Sequence, residues 1–316
     1  MDLTKPEPLL LPADDAGIAR AAEVIRGGGT VAVPTETVYG LAARADSADA
    51  VAGIYRAKGR PDFNPLIVHV PDVAAAGRLA IMDERAEKLA AAFWPGALTL
   101  VLPRRGEAVL APAVSAGLST VAIRCPAHPV MQALLRASGL PLAAPSANRS
   151  GGVSPTSAAH VVASLGARAG AVLDGGETDQ GIESTIVGLR DDGSWALLRP
   201  GPITEVQIAE VLGQPATGIA SKTIEAPGQL ASHYAPGKPV RLGAAEAREG
   251  EFLIGFGAIE GAVNLSPTGD LAEAAAQLYA CLHRAAEAQE PLIAIAPIPD
   301  HGIGIAINDR LKRAAA

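Results

Sequence analysis

Aromatic side chains make up only 3% of this 316-residue chain, charged ones 19%, and there are just two cysteines. So few aromatics weigh against a protein that stacks single-stranded bases, and they leave the core to Ala, Val, Leu and Ile. Cys125 and Cys281 stand far apart with no CxxC or His-paired spacing, which fits a reducing compartment and no structural zinc. Among the charges acid prevails. A formal net charge of −7 argues against a broad nucleic-acid-coating surface, so any phosphate would be held by a few placed Lys and Arg side chains. No basic, apolar leader follows Met1 and no uninterrupted run reaches membrane length, so a cytoplasmic chain without membrane contact is expected. The GxxxxGK phosphate loop is missing, and Gly255-Phe256-Gly257 lacks the third glycine of a dinucleotide turn.

What the chain does contain is apolar and turn-rich. A hydrophobic content of 49% excludes a disordered polymer, and 34 Gly with 25 Pro suit short strands and helices. At roughly 150 residues per domain the length favours two domains. Ile18, Ala21, Ala22 and Ile25 follow a helical period that Gly27 stops, and Thr30-Val31-Ala32-Val33 then reads as a buried strand. A second helix carries Val51, Ile54 and Tyr55, and Leu66 to Val70 is the next strand. Further strands are expected at Leu98 to Leu102, Thr120 to Arg124, Pro141 to Ala144, Ala171 to Asp174, Ser184 to Leu189 and Trp195 to Arg199. Helices are expected near 83–93, 128–137, 155–165 and 203–212. The fold class is α/β, with part of the sheet antiparallel because the strands near 171–199 follow one another without helices. From 213 to 238 periodicity lapses into Pro and Gly, which marks a linker between a domain at 1–212 and a small Rossmann-like α/β unit at 239–316.

Three segments carry polar residues at element ends. Pro34-Thr35-Glu36-Thr37-Val38-Tyr39-Gly40 follows a buried strand, where α/β sheets bind ligands, yet its residue types fit a capped turn at least as well. In Arg56-Ala57-Lys58-Gly59-Arg60-Pro61, Pro61 ends the helix and lets Lys58 and Arg60 converge on one anion. The helix dipole is the plainer explanation of those cations, but three in five residues of an acidic chain favour phosphate. Ala144-Pro145-Ser146-Ala147-Asn148 ends a strand and leads through a Gly-rich loop to Ser154-Pro155, expected as N-cap and first residue of a helix. Arg124 and Arg199 close apolar strands, and His69 reads by itself as a core histidine. Glu36 and Glu183 lie too far apart in sequence to be paired as acid and base.

Taken together these segments resemble the threonylcarbamoyl-AMP synthase family in its long form. The matching stretches are Gly28 to Leu41, Ala57 to Pro61, Asn64 to His69, Trp94-Pro95-Gly96, Ala143 to Asn148, Ser154-Pro155-Thr156, Glu183 to Ile186 and Leu198 to Gly201. His233-Tyr234-Ala235-Pro236, and Gly302 through Arg310, look like the long form too. The resemblance implies a YrdC-like domain, built on a twisted mixed parallel and antiparallel sheet with flanking helices, and a smaller C-terminal domain. It implies synthesis of threonylcarbamoyl-AMP and pyrophosphate from L-threonine, bicarbonate and ATP. A separate tRNA threonylcarbamoyl transferase machinery then uses the product to make N6-threonylcarbamoyladenosine beside the anticodon.

That chemistry needs no protein nucleophile, because the carbamate of threonine attacks the α-phosphorus itself. By the resemblance Lys58 and Arg60 are the catalytic cations, and Lys58, Arg60, Asp62, Ser146, Asn148, Ser154, Arg199 and Tyr234 hold ATP. Thr35, His69, Arg124 and Ser184 hold threonine, with Arg124 suited to a bidentate carboxylate clamp. Thr120 and the Ala144 backbone lie between the ligands. Mg2+ accompanies the triphosphate, with no protein carboxylate marked as its ligand. The linker, through Tyr234, is expected to act as a lid. The competing readings are an RNA-binding module of the same fold, which would need a basic concave face, and a carbamoyl-transfer enzyme, which would bring acylphosphatase-like or zinc-binding segments.

Overall fold

The computed structural model describes residues 7–60, 64–217, 225–227 and 233–316. Its first unit is a ten-stranded mixed sheet. Across the sheet the strands run Leu9–Pro12, Ala171–Asp174, Val31–Pro34, Tyr39–Arg44, Leu142–Ala143, Ile67–His69, Thr120–Arg124, Leu98–Pro103, Thr185–Leu189 and Trp195–Arg199. Period-two alternation splits Val31–Pro34 between two cores. Val31 and Val33 face Ala21, Ile25, Met131 and Leu134 of two packed helices, Asp15–Arg26 and Pro129–Ser138. Ala32 faces the larger core with Leu41, Ile54, Leu89 and Trp195. The expected antiparallel part is there, since Val31–Pro34 pairs antiparallel with Tyr39–Arg44, and Thr185–Leu189 with Trp195–Arg199.

Several elements differ from expectation. The helix expected from Ser154 begins instead at Ala158, with Ser157 as its cap accepting from the His160 N–H, and it runs to Leu165. Ser154 has given its hydroxyl to a buried carboxylate, Glu183, which outcompetes a cap exposed to water. Leu9–Pro12, a strand too short to show a period, pairs in parallel with Ala171–Asp174. The helices Val73–Leu79, Pro112–Ser115 and Gly304–Ala314 also lie outside the expected set.

The second unit is a four-stranded parallel sheet in the order Val240–Leu242, Leu292–Ile295, Glu251–Gly255, Val263–Asn264, packed by the helices Leu271–Glu287 and Gly304–Ala314. Its core of Leu278, Leu282, Ile293 and Ile307 is continuous with Val38, Val153 and Ile182 of the first unit and with Tyr234. Gly181, at φ +69°, lies so close to the helix Leu271–Glu287 that a Cβ there would fall 2.5 Å from the Ala275 carbonyl oxygen. Within the expected linker, the described residues stay docked. Thr217 N–H donates to Trp195 O, Arg190 pairs with Glu225, Ala235 N–H donates to Gly151 O, and Lys238 Nζ donates to Ala285 O and Ala288 O.

Candidate active site

The ends of the strands open on a narrow cleft lined mainly by polar residues. Thr35 organises one rim. Its hydroxyl donates to the Val38 carbonyl at 2.7 Å and accepts from the N–H groups of Thr37 and Val38. The segment is thus a capped turn, and the turn carries Thr35 and Thr37 to the cleft wall with their hydroxyls 2.8 Å apart.

Parallel pairing of Ile67–His69 with Thr120–Arg124 puts His69 opposite Arg124 on the same rim. Arg124 Nη2 meets Glu36 Oε1 at 2.7 Å, Nη1 donates to Thr37 Oγ1 at 2.9 Å, and Nε donates to the Gly96 carbonyl. Burial works to raise the Glu36 carboxyl, and Arg124, with the Ala127 N–H on Oε2, holds it below its usual range. His69 is pushed down to about 3 by burial and by Arg124, so its ring is neutral, and its buried Nδ1 makes no hydrogen bond. A ligand carboxylate or hydroxyl would meet here one fixed cation, two hydroxyls and an unpartnered imidazole nitrogen.

The opposite wall holds Ser184 and Arg199. Arg199 donates from Nε to the Ser184 carbonyl at 3.0 Å and from Nη2 to the Ser184 hydroxyl at 3.1 Å, which also shares a hydrogen bond with Thr99. Burial lowers Arg199, and it lowers Arg60 to about 10, yet both remain cations near neutrality. Arg60 reaches the cleft because Gly59, at φ +60°, caps the helix Ala48–Lys58 in the left-handed region. Its guanidinium donates to Pro65 O at 3.0 Å. Ala144 and Ser146 form the floor, and His233 and Tyr234 reach in from the far side of the linker. Burial lowers His233 to about 4 and raises Tyr234, which sits at φ +64°.

Other expected site residues are placed differently. Lys58 does not line the cleft; its Nζ donates to the carbonyls of Ser146 at 2.5 Å and Asn148 at 2.6 Å. Burial, then the neighbouring Arg60, press its pKa well below the ordinary lysine value. Asn148 donates its amide to Arg149 O and Gly152 O within its own loop, and Ser154 donates to Glu183 Oε1 at 2.6 Å. Thr120 lies at the opposite end of its strand from Arg124 and is not part of the cleft wall. Asp62 lies outside the described residues.

Sequence reasoning underrated Glu183. Its carboxylate accepts from Ser154 Oγ, from Tyr279 OH at 2.8 Å and from Arg310 Nε at 3.1 Å. Burial alone would raise it, but Arg310 and Arg199, with the two hydroxyls, bring it down to about 2. Glu183 stands beside Ser184 in a matching stretch and carried that much signal. Tyr279 and Arg310, about a hundred residues further on, carried none as partners for it. Among the described residues no group of three or more His, Cys, Asp and Glu side chains is placed to hold a metal ion.

A cleft at strand ends, walled by buried arginines and hydroxyls and bordered by the linker to a second α/β unit, defines a two-unit protein built to hold small anionic ligands. Residues 23–201 match the family model described as Telomere recombination (Sua5_yciO_yrdC), and residues 203–316 match that described as threonylcarbamoyl-AMP synthase, C-terminal domain. A threonylcarbamoyl-AMP synthase of Bacillus subtilis is 42% identical over 96% of this chain and 94% of its own length. One from Pyrococcus abyssi is 40% identical over 93% of each. The crystal structure of P. abyssi Sua5 complexed with L-threonine superposes with a TM-score of 0.88 at 36% identity, covering 97% of both chains. The chain belongs to the threonylcarbamoyl-AMP synthase family.

Proposed function

We propose that the chain joins L-threonine, bicarbonate and ATP into threonylcarbamoyl-AMP, with pyrophosphate and water as the other products. One observation carries this reading: Arg60, Arg124 and Arg199 converge on one cleft at 9%, 4% and 5% exposure, beside hydroxyls. Such a site can position two anions and neutralise charge as they react. The threonine amine takes up CO2 from bicarbonate, and the resulting carbamate oxygen forms the bond to the α-phosphorus as the bond to pyrophosphate breaks. In this reading Arg124, Thr35, His69 and Ser184 hold threonine, the L-threonine in the P. abyssi structure supporting the choice of amino acid. Arg60, Arg199 and Ser146 hold the phosphates, which arrive as the Mg2+ complex, so the metal belongs to the substrate. Lys58 acts one step back, by fixing the carbonyls of the Ser146–Asn148 loop.

The proposed division is a catalytic domain at 1–212, a linker at 213–238 and a small domain at 239–316. His233 and Tyr234 form the part of the linker that closes on ligand. A chain ended after residue 212 then loses ATP turnover sharply, and unchanged turnover would refute the lid. The product passes to a separate transferase acting on tRNA. The RNA-binding alternative gains nothing from the site, whose cations lie too deep to track a nucleic-acid backbone. Pyrophosphate release measured with and without threonine and bicarbonate tests the reading. Release must depend on both, and release indifferent to threonine overturns it.

A further inference from the structure

We infer that Arg310, on the last helix of the C-terminal unit, is a positioning residue of the site: by holding the Glu183 carboxylate it leaves Arg199 uncompensated as a cation of the cleft. The inference rests on the reading of that cleft as the ATP site.

Three facts support it. First, Glu183 lines the cleft beside Ser184 and Arg199, yet no ion pair joins Glu183 to Arg199. Both Glu183 oxygens are instead taken up, Oε1 by Ser154 and Oε2 by Tyr279 and Arg310. Second, Arg310 is fully buried and also grips the main chain on either side of the Arg199–Ser184 pair. Its Nη1 donates to Pro200 O at 2.7 Å and its Nη2 to Glu183 O at 3.4 Å. Third, the other acid on Arg310, Asp309, is itself shared with Arg313. Pairing Glu183 with Arg310 and Asp309 with Arg313 balances four charges and leaves Arg199 over. Arg310 lies 5.6 Å from the centroid of the Tyr234 ring as well, so the same side chain backs the linker residue that enters the cleft.

Without Arg310 the buried carboxylate has lost its ion-pair partner, and a buried charge in that state seeks another. Arg199 is the nearby cation that already acts on Glu183. Its guanidinium would then be spent on Glu183, and the cleft would lose a charge meant for the phosphates. Threonine, held mainly by Arg124, Thr35 and His69, would feel the shift only through Ser184 and so be affected much less.

Calorimetric binding of ATP and of L-threonine to the full chain tests this without turnover. Arg310→Met is expected to weaken ATP binding at least about tenfold while threonine binding stays within about threefold of wild type. Adding Glu183→Gln, which removes the stranded charge, is expected to restore ATP binding to within about threefold. Arg310→Gln keeps a donor for Glu183 without the charge, and gives the same pattern should Arg310→Met fail to fold. Equal loss of both ligands with no recovery in the double variant assigns Arg310 a merely structural part and overturns the inference. Wild-type ATP affinity in Arg310→Met and Arg310→Gln overturns it alone, whereas a wild-type chain that binds no ATP overturns the functional reading with it.

Discussion

The imidazole rings of His160 and His283 stack face on face, their centroids 3.9 Å apart and their planes within 17°. His160 belongs to the helix Ala158–Leu165 of the first unit and His283 to the helix Leu271–Glu287 of the second. The stack therefore bridges the joint, and His283 Nε2 also lies 3.1 Å from the Ser154 carbonyl.

Such a stack is sensitive to acid. Burial lowers both histidines, and burial with the neighbouring His160 brings His283 down to about 4. A folded-state pKa below the unfolded 6.5 means that the unfolded chain takes protons first. The His283 contribution is thus whole above about pH 6.5 and drains away as pH falls toward 4, by up to about 1.4 kcal/mol per pH unit, and His160 acts in the same direction. Melting temperatures followed over that range should fall more steeply for wild type than for His283→Gln. His69 and His233, lowered likewise, contribute equally to both curves. Superimposable curves would remove the stack from the account.

Gly181 sets the spacing of the same joint. An alanine there meets the carbonyl oxygens of Ala275 and Ala276 and must hold φ near +69°. Gly181→Ala is expected to cost about 2–4 kcal/mol and to part the two units before either unfolds. Limited proteolysis should then cut the variant within 213–238 at concentrations that spare wild type. Equal resistance would show that the backbone yields cheaply.

Lys58→Met leaves the Ser146 and Asn148 carbonyls without their ammonium donor. Unsatisfied buried acceptors cost about 1–3 kcal/mol each, so the melting temperature drops and the loop loosens. Because Lys58 stands behind the cleft wall, kcat should fall together with a rise in the KM for ATP. Loss of kcat at an unchanged KM and melting temperature would instead put the ammonium on the reacting phosphates.

Arg124→Lys keeps the charge but cannot meet Glu36, Thr37 and Gly96 at once. The KM for threonine is expected to rise about tenfold or more while the KM for ATP stays put. A variant kinetically equal to wild type would take Arg124 out of the threonine site.

The sequence made the carriers of this geometry readable to different degrees. The strand ending at Arg124 and the helix ending at Lys58 were legible because period and stop signals are local. The Thr35–Thr37 segment was legible as a capped turn, and the structure makes it one, set on the cleft wall. Ser154 was misread because a hydroxyl before proline looks like a cap, while its actual partner lies 29 residues away. The direction of Lys58, toward carbonyls rather than into the cleft, depends on how a loop 88 residues on folds back. Arg310 escaped for the same reason: its guanidinium is 127 residues from Glu183, and nothing around it announces a distant carboxylate.

That distance has a consequence for recombining the chain. Glu183 arrives with one unit, Tyr279 and Arg310 with the other, so the three work as a matched set split across a junction. A hybrid that joins the first unit of one relative to the second of another inherits a working cleft only if both parents wrote the same set. A chain trimmed to the first unit alone must supply its own neutraliser for that carboxylate or give the carboxylate up.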